Sequence, residues 1–230
     1  MIRNNWCTLL ICFVAFLSVL QAADTPGVTV DKEKRTVTVD CKVAPRKIDD
    51  PRYQKPDGKP YPIEVVATFP FPKGQKAHET VVTIEIKPSD VHKALESLGL
   101  KPGKPVAVEG ETPTGPKVNL YLEVPGPDNE LKRVPLEKIL IDPKSGKSLG
   151  KVEWRFTGSV MSKPDPNKDE LVYGADMTGT LISIFPVTNQ TVLQTNLTLK
   201  EEKYVKLEVD EKLVPKIGTP VKLILEVPAK

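Results

Sequence analysis

Thr36-Val37-Thr38-Val39-Asp40-Cys41-Lys42-Val43 alternates apolar and polar side chains, so a strand here puts Val37, Val39, Cys41 and Val43 on one face. The same period of two recurs at Ile63, Val65, Ala67 and Phe69, at Val118, Leu120, Leu122 and Val124, at Val152, Trp154 and Phe156, and at Val221, Leu223, Leu225 and Val227. Antiparallel sheets with one wet face alternate in this way, whereas buried parallel strands are continuously apolar. The chain is therefore expected to be mainly β, a β-rich α+β fold of antiparallel sheets packed sandwich-like. Residues 180–187 are more uniformly apolar and read as a central strand ended by Pro186.

Helical periodicity is clear once, near residues 89–98. Ser89 is the expected N-cap, Asp90 suits the positive helix start, Val91, Ala94, Leu95 and Leu98 form the apolar stripe, and Gly99 ends the helix. Shorter helical turns are expected over residues 135–140 and 210–213. The stretches 45–62 and 162–170 are rich in proline and charge and read as solvated loops. A Gly-x-Pro-Val echo links residues 99–106 and 214–221, each expected to lead into a strand.

Residues 1–23 have the pattern of a secretory leader: Arg3, a thirteen-residue apolar run over 8–20, and small residues for cleavage after Ala22 or Ala23. The run is shorter than the ~20 residues that span a bilayer. Cys7 and Cys12 are placed wrongly for lipid attachment, so no stable membrane anchor is expected after cleavage. The rest, residues 24–230, reads as a single domain, exported to the periplasm or extracellular space. With 33 basic and 30 acidic residues spread along the 230-residue chain, no basic face is available for nucleic acid. Cleavage would leave one thiol, Cys41, so no intramolecular disulfide forms. Its place in the alternation predicts a buried structural thiol.

The chemistry these residues allow is narrow. One thiol excludes an iron–sulfur cluster, and no cofactor is expected. Gly146-Lys147-Ser148 lacks the preceding glycine of a phosphate-binding loop, since Ile141 stands there. His78 and His92 are the only histidines, and the zinc-protease helix motif is absent. If residues 79–86 form a strand, His78 leads into the face of Val82 and Ile84 while Glu79 points to the other face. A metal-assisted or hydrolytic envelope enzyme would use His78 with Glu79 or Ser159. Ser159 follows Gly158 at a strand end, without the glycine pattern of a nucleophile elbow. A non-catalytic binding or interaction module of the envelope, with an unidentified ligand or protein partner, is the favoured reading.

His78-Glu79-Thr80, the helix from Lys87-Pro88-Ser89-Asp90-Val91-His92 to Gly99-Leu100-Lys101-Pro102-Gly103, Trp154-Arg155-Phe156-Thr157-Gly158-Ser159, and Tyr173-Gly174-Ala175-Asp176-Met177-Thr178-Gly179 occur in that order. Over roughly residues 60–195 the chain resembles the YdjY-like domain family, in the exported form found in planctomycete bacteria. The resemblance implies an extracytoplasmic domain without an assigned activity. The family's founding label, a ferredoxin-like lipoprotein, suggests a redox-accessory role, and this chain departs from both words of it. The resemblance directs attention to His78, Glu79, Trp154, Thr157, Gly158, Ser159 and Gly179 as positions a shared site would use.

Overall fold

The computed structural model describes residues 25–126, 128 and 130–229, so the leader expected over residues 1–23 lies outside the described residues. The first half of the chain gives β1 (Val28–Asp31), β2 (Thr36–Val43), β3 (Val65–Thr68), β4 (Thr80–Ile84), α1 (Pro88–Ser97) and β5 (Lys117–Pro125). Next come β6 (Leu131–Pro135), α2 (Leu136–Ile139), β7 (Leu140–Ile141), β8 (Trp154–Phe156), β9 (Met161–Ser162), β10 (Val172–Tyr173) and α3 (Gly174–Thr178). The remainder gives β11 (Ile182–Ser183), β12 (Leu193–Thr195), α4 (Leu199–Tyr204), β13 (Glu208–Val209) and β14 (Pro220–Glu226).

The alternating faces are buried as expected: Val37, Val39, Cys41 and Val43, the β5 set from Val118 to Val124, and Val221, Leu223 and Leu225 of β14 with Val227 just beyond it. What they enclose differs from the expectation. The strands run β2-β14-β5-β8-β12-β11-β3-β4, and β4 pairs back onto β2, closing an eight-stranded barrel rather than a sandwich. The barrel is mixed, because β3 pairs parallel with β4 and β11 parallel with β12, whereas the other pairs in the ring are antiparallel. Both architectures have one dry and one wet face, so both give the same alternation, and closure is decided at strand edges.

The closing strand is β2. One of its edges is taken by β14 from Thr36 to Lys42. The other is shared: Thr36–Val39 pairs with β1, and Cys41–Val43 pairs with β4. β6 adds to β5 outside the ring, and β7–β13 and β9–β10 form two small sheets.

The two halves of the barrel are stabilised differently. β2, β5 and β14 are long and line the core with valine and leucine. The segments around β8, β11 and β12 are short, and the central strand expected over 180–187 shrinks to Ile182–Ser183, with a register shift against β3 between those two residues. Irregular buried backbone needs other partners. Thr191 Oγ1 donates toward the Leu181 and Leu193 carbonyls at 3.1 and 3.2 Å, Thr195 bonds the Ile184 carbonyl, and the Gln194 amide grips both backbone groups of Val106. Val106 is thus held outside any strand, whereas Val221 lies in β14, so the Gly-x-Pro-Val echo is not a structural repeat.

The helix α1 lies where the stripe predicts, with Val91, Ala94, Leu95 and Leu98 buried. Its start is different: Pro88 is the first helical residue, Lys87 precedes it, and Ser89 is inside. The Ser89 N–H is satisfied by Asp176 Oδ1 of α3 at 2.8 Å, a cap supplied from 87 residues away. Asp176→Ala should therefore lower stability by about 1 kcal/mol, while Ser89→Ala stays within about 0.5 kcal/mol. Urea unfolding of the two variants checks this, and equal losses would refute the remote cap. Residues 136–139 form α2 as expected, while 210–213 make only a turn, closed by Leu213 N–H on the Asp210 carbonyl.

Candidate functional site

His78 lies just before β4, where Ala77–Glu79 forms a 3-10 turn instead of the start of a strand. A strand would send His78 and Glu79 to opposite faces. The turn brings them together, with His78 Nε2 3.2 Å from Glu79 Oε1. Lys76 bridges the same carboxylate at 2.7 Å and Glu64 Oε2 at 2.6 Å. Burial pushes the Glu79 carboxyl up, but hydrogen bonds from His78 and Lys76 outweigh it and hold it down at about 2. At Glu64 burial prevails, helped by the charge of Glu79 and opposed by Lys76, so that carboxyl is raised. Burial lowers Lys76, and its two carboxylates more than reverse this.

The loop 45–62 covers this group, so it is not simply solvated. Tyr53 and Tyr61 pack on the His78 ring with centroids 4.6 and 4.9 Å away. Arg46 donates to the carbonyls of His78 and Tyr61 and pairs with Glu208 at 2.9 Å. His78 Nδ1 is buried with no hydrogen-bond partner among the described residues.

Ser159 belongs to a different group. Its Oγ donates to the Val160 carbonyl at 3.1 Å and accepts from the Ala175 N–H at 3.0 Å. Its own N–H donates to Tyr173 Oη at 3.1 Å, and Tyr173 Oη lies 2.6 Å from His92 Nδ1. Burial raises the Tyr173 phenol, which keeps its proton. On the other side of the ring, His92 Nε2 faces Glu96 Oε1 at 3.4 Å. The sequence reading did not find this Glu96–His92–Tyr173 chain. The four-residue spacing of His92 and Glu96 on α1 was its one local sign; Tyr173 lies 81 residues beyond His92.

His78 and Ser159 share no partner, and the structure assembles no Ser159–His78 pair. Trp154 is 3% exposed in the core, and its indole N–H is buried without a partner among the described residues. Thr157 is buried, its Oγ1 3.0 Å from the Gly158 carbonyl and 3.1 Å from that of Val192. Gly158 has φ +67°, and a Cβ there would stand 3.3 Å from the His92 ring. Gly179 has φ +76° and lies against the Phe69 ring. Among the described residues, no three His, Cys, Asp or Glu side chains gather as a metal-ligand set.

Cys41 is buried and free, and its Sγ donates to the Val221 carbonyl at 3.3 Å. Burial pushes the thiol up to about 12. Native protein at pH 8 is expected to leave a disulfide reagent unreacted, and a urea-unfolded chain of residues 24–230 to release one equivalent. Rapid labelling of the folded chain would contradict the assignment.

Two larger openings lie on the barrel, one of them bordering the Arg46–Glu208 pair. A cleft of about 610 Å³ runs over the outer face of β2 and β14, between Ile86, Pro125 and Leu131 and beside the Lys42–Glu85 ion pair. A second, of about 520 Å³, is lined by Val81, Arg46, Glu208 and Ile217. The family model described as the YdjY domain matches residues 28–226.

The chain belongs to the YdjY domain family. The YdjY match runs from β1 to β14, well beyond residues 60–195, and so takes in the strands that close the barrel. No curated protein and no solved structure matches the chain.

Proposed function

We propose that this YdjY-domain protein is exported to the periplasm or extracellular space and acts there as a non-catalytic binding module. One observation carries the reading: the groups able to do chemistry are committed internally while the large opening is not. The Ser159 hydroxyl is engaged at both ends and Glu79 holds Lys76 and His78. The 610 Å³ cleft offers apolar walls with a few charges, at the size usual for small-ligand sites.

The test has two parts. Residues 1–23 fused to alkaline phosphatase should give activity only outside the cytoplasm. The mature chain, titrated with muropeptides and envelope oligosaccharides, should show saturable amide shifts at Lys42, Thr83, Ile86 and Lys222, with no turnover of chromogenic esters, phosphoesters or glycosides. Turnover abolished by Ser159→Ala would replace the proposal with a hydrolase, and absence of shifts in the cleft would end it.

A further inference from the structure

The loop 45–62 is more elaborately fixed than a solvated connection requires. Asp50 caps the 3-10 turn Pro51–Tyr53, and its carboxylate also pairs with Arg52 at 2.7 Å. Tyr53 is docked edge-on against Phe71 at 5.7 Å and lies on His78, and Arg46 fastens the far end at the Tyr61 carbonyl. Ile48 is buried beneath. Prolines at 45, 51, 56, 60 and 62 fix φ along the way.

What this scaffold presents is a concave, cationic surface. A cleft of about 240 Å³ is lined by Lys47, Lys55 and Lys59, with Arg46, Tyr53 and Pro60 among its walls and no acidic residue. The Lys47 and Lys59 ammonium groups make no ion pair among the described residues, and Lys55 reaches Asp57 only at 3.9 Å. Asp57 is already occupied by the Lys59 N–H. Lys47 and Lys59 are exposed and the Lys55 ammonium lies over the Tyr61 ring at 5.9 Å, so three cationic side chains border one hollow, and like charges gathered there favour an anion.

We propose that this hollow is an anion-binding site, taking one carboxylate, sulfate or phosphate group carried on a sugar-sized ring. The lysines supply the charge and Pro60 offers apolar surface to the ring, the Tyr53 ring being taken up by His78, Phe71 and the Arg52 guanidinium. Fixed walls lower the ordering cost of binding. The site shares no residue with the cleft on β2 and β14 and stands whether or not that cleft is occupied.

Glucose 6-phosphate, glucose 6-sulfate and glucuronate, titrated at low salt, should produce saturable amide shifts at Lys47, Tyr53, Gly58 and Lys59. Neutral glucose should not, and added salt should weaken binding. The order of the three probes tells which oxyanion the site prefers. The exposed double variant Lys47→Gln/Lys59→Gln should bind roughly tenfold more weakly with an unchanged melting temperature. No saturable shift with any acidic probe, equal shifts with glucose, or undiminished binding by the double variant would each overturn the proposal.

Discussion

Lys76→Met is expected to destabilise the protein by about 3 kcal/mol, the lower end of the range for stripping one partner from a buried ion pair. The lower end applies because the Lys76 side chain keeps 29% of its exposure, whereas those of Glu64 and Glu79 keep 19% and 9%. Methionine matches the lysine stem in length and apolar character, so the loss is electrostatic: two part-buried carboxylates face each other without their shared cation. The pH dependence separates this from a packing defect. In the wild type the Glu79 carboxyl lies near 2 against an ordinary 4.5, so its contribution is present above pH 4.5 and is lost as pH falls toward 2. Glu64, raised when folded, acts with the opposite sign: its contribution is present at low pH and is lost as pH rises through the raised value. Without Lys76 both carboxyls are pushed up, and the variant should gain stability relative to the wild type as the solution is acidified. Urea midpoints between pH 4 and 7 read this directly, and a pH-independent difference would refute it. Glu64→Gln in the Lys76→Met background should recover part of the loss.

Gly179→Ala should cost about as much for a different reason. The residue ends α3 at φ +76°, where a Cβ is disfavoured by about 1–2 kcal/mol. That Cβ would also stand 2.4 Å from the Phe69 ring, and overpacking of this kind adds about 1–3 kcal/mol. The Phe69 backbone is tied to the same residue, its N–H donating to the Gly179 carbonyl at 3.1 Å, so relief has to come from turning the ring. Gly58→Ala is the control: φ is +68°, but nothing lies within 4 Å of the added carbon. Gly58→Ala should show only the backbone penalty, and equal losses at both positions would exclude the steric part.

The alternating faces of β2, β5 and β14 were legible because burial of one face leaves a mark every second residue. Closure of the barrel was not, since which edge meets which is a relation between distant segments. The parallel pairs β3–β4 and β11–β12 were hidden for a related reason: their strands are four, five, two and three residues long, too short to display the continuous apolar run of a parallel sheet. At the site, His78 and Glu79 were found as residue types but their geometry was reversed, because a 3-10 turn of three residues has no periodicity to read. Lys76 and Glu64 escaped notice as two charges among many, and only folding brings them to one carboxylate. Asp176 capping Ser89 was equally invisible, and the local rule for N-caps pointed to the wrong residue.

The order of strands around the ring also sets a clock. β14 is inserted between β2 and β5, and its contact with β2 joins Cys41 to Val221 across 180 residues. A growing chain can form the β1–β2 hairpin and the β5–β6 hairpin early, but its barrel stays open until β14 has been made. Until then β2 and β5 lack the strand that joins them, and the apolar faces they share have no enclosed interior to fill. The ring therefore stays unlocked, whatever else has formed, until the one strand that joins β2 to β5 has been made.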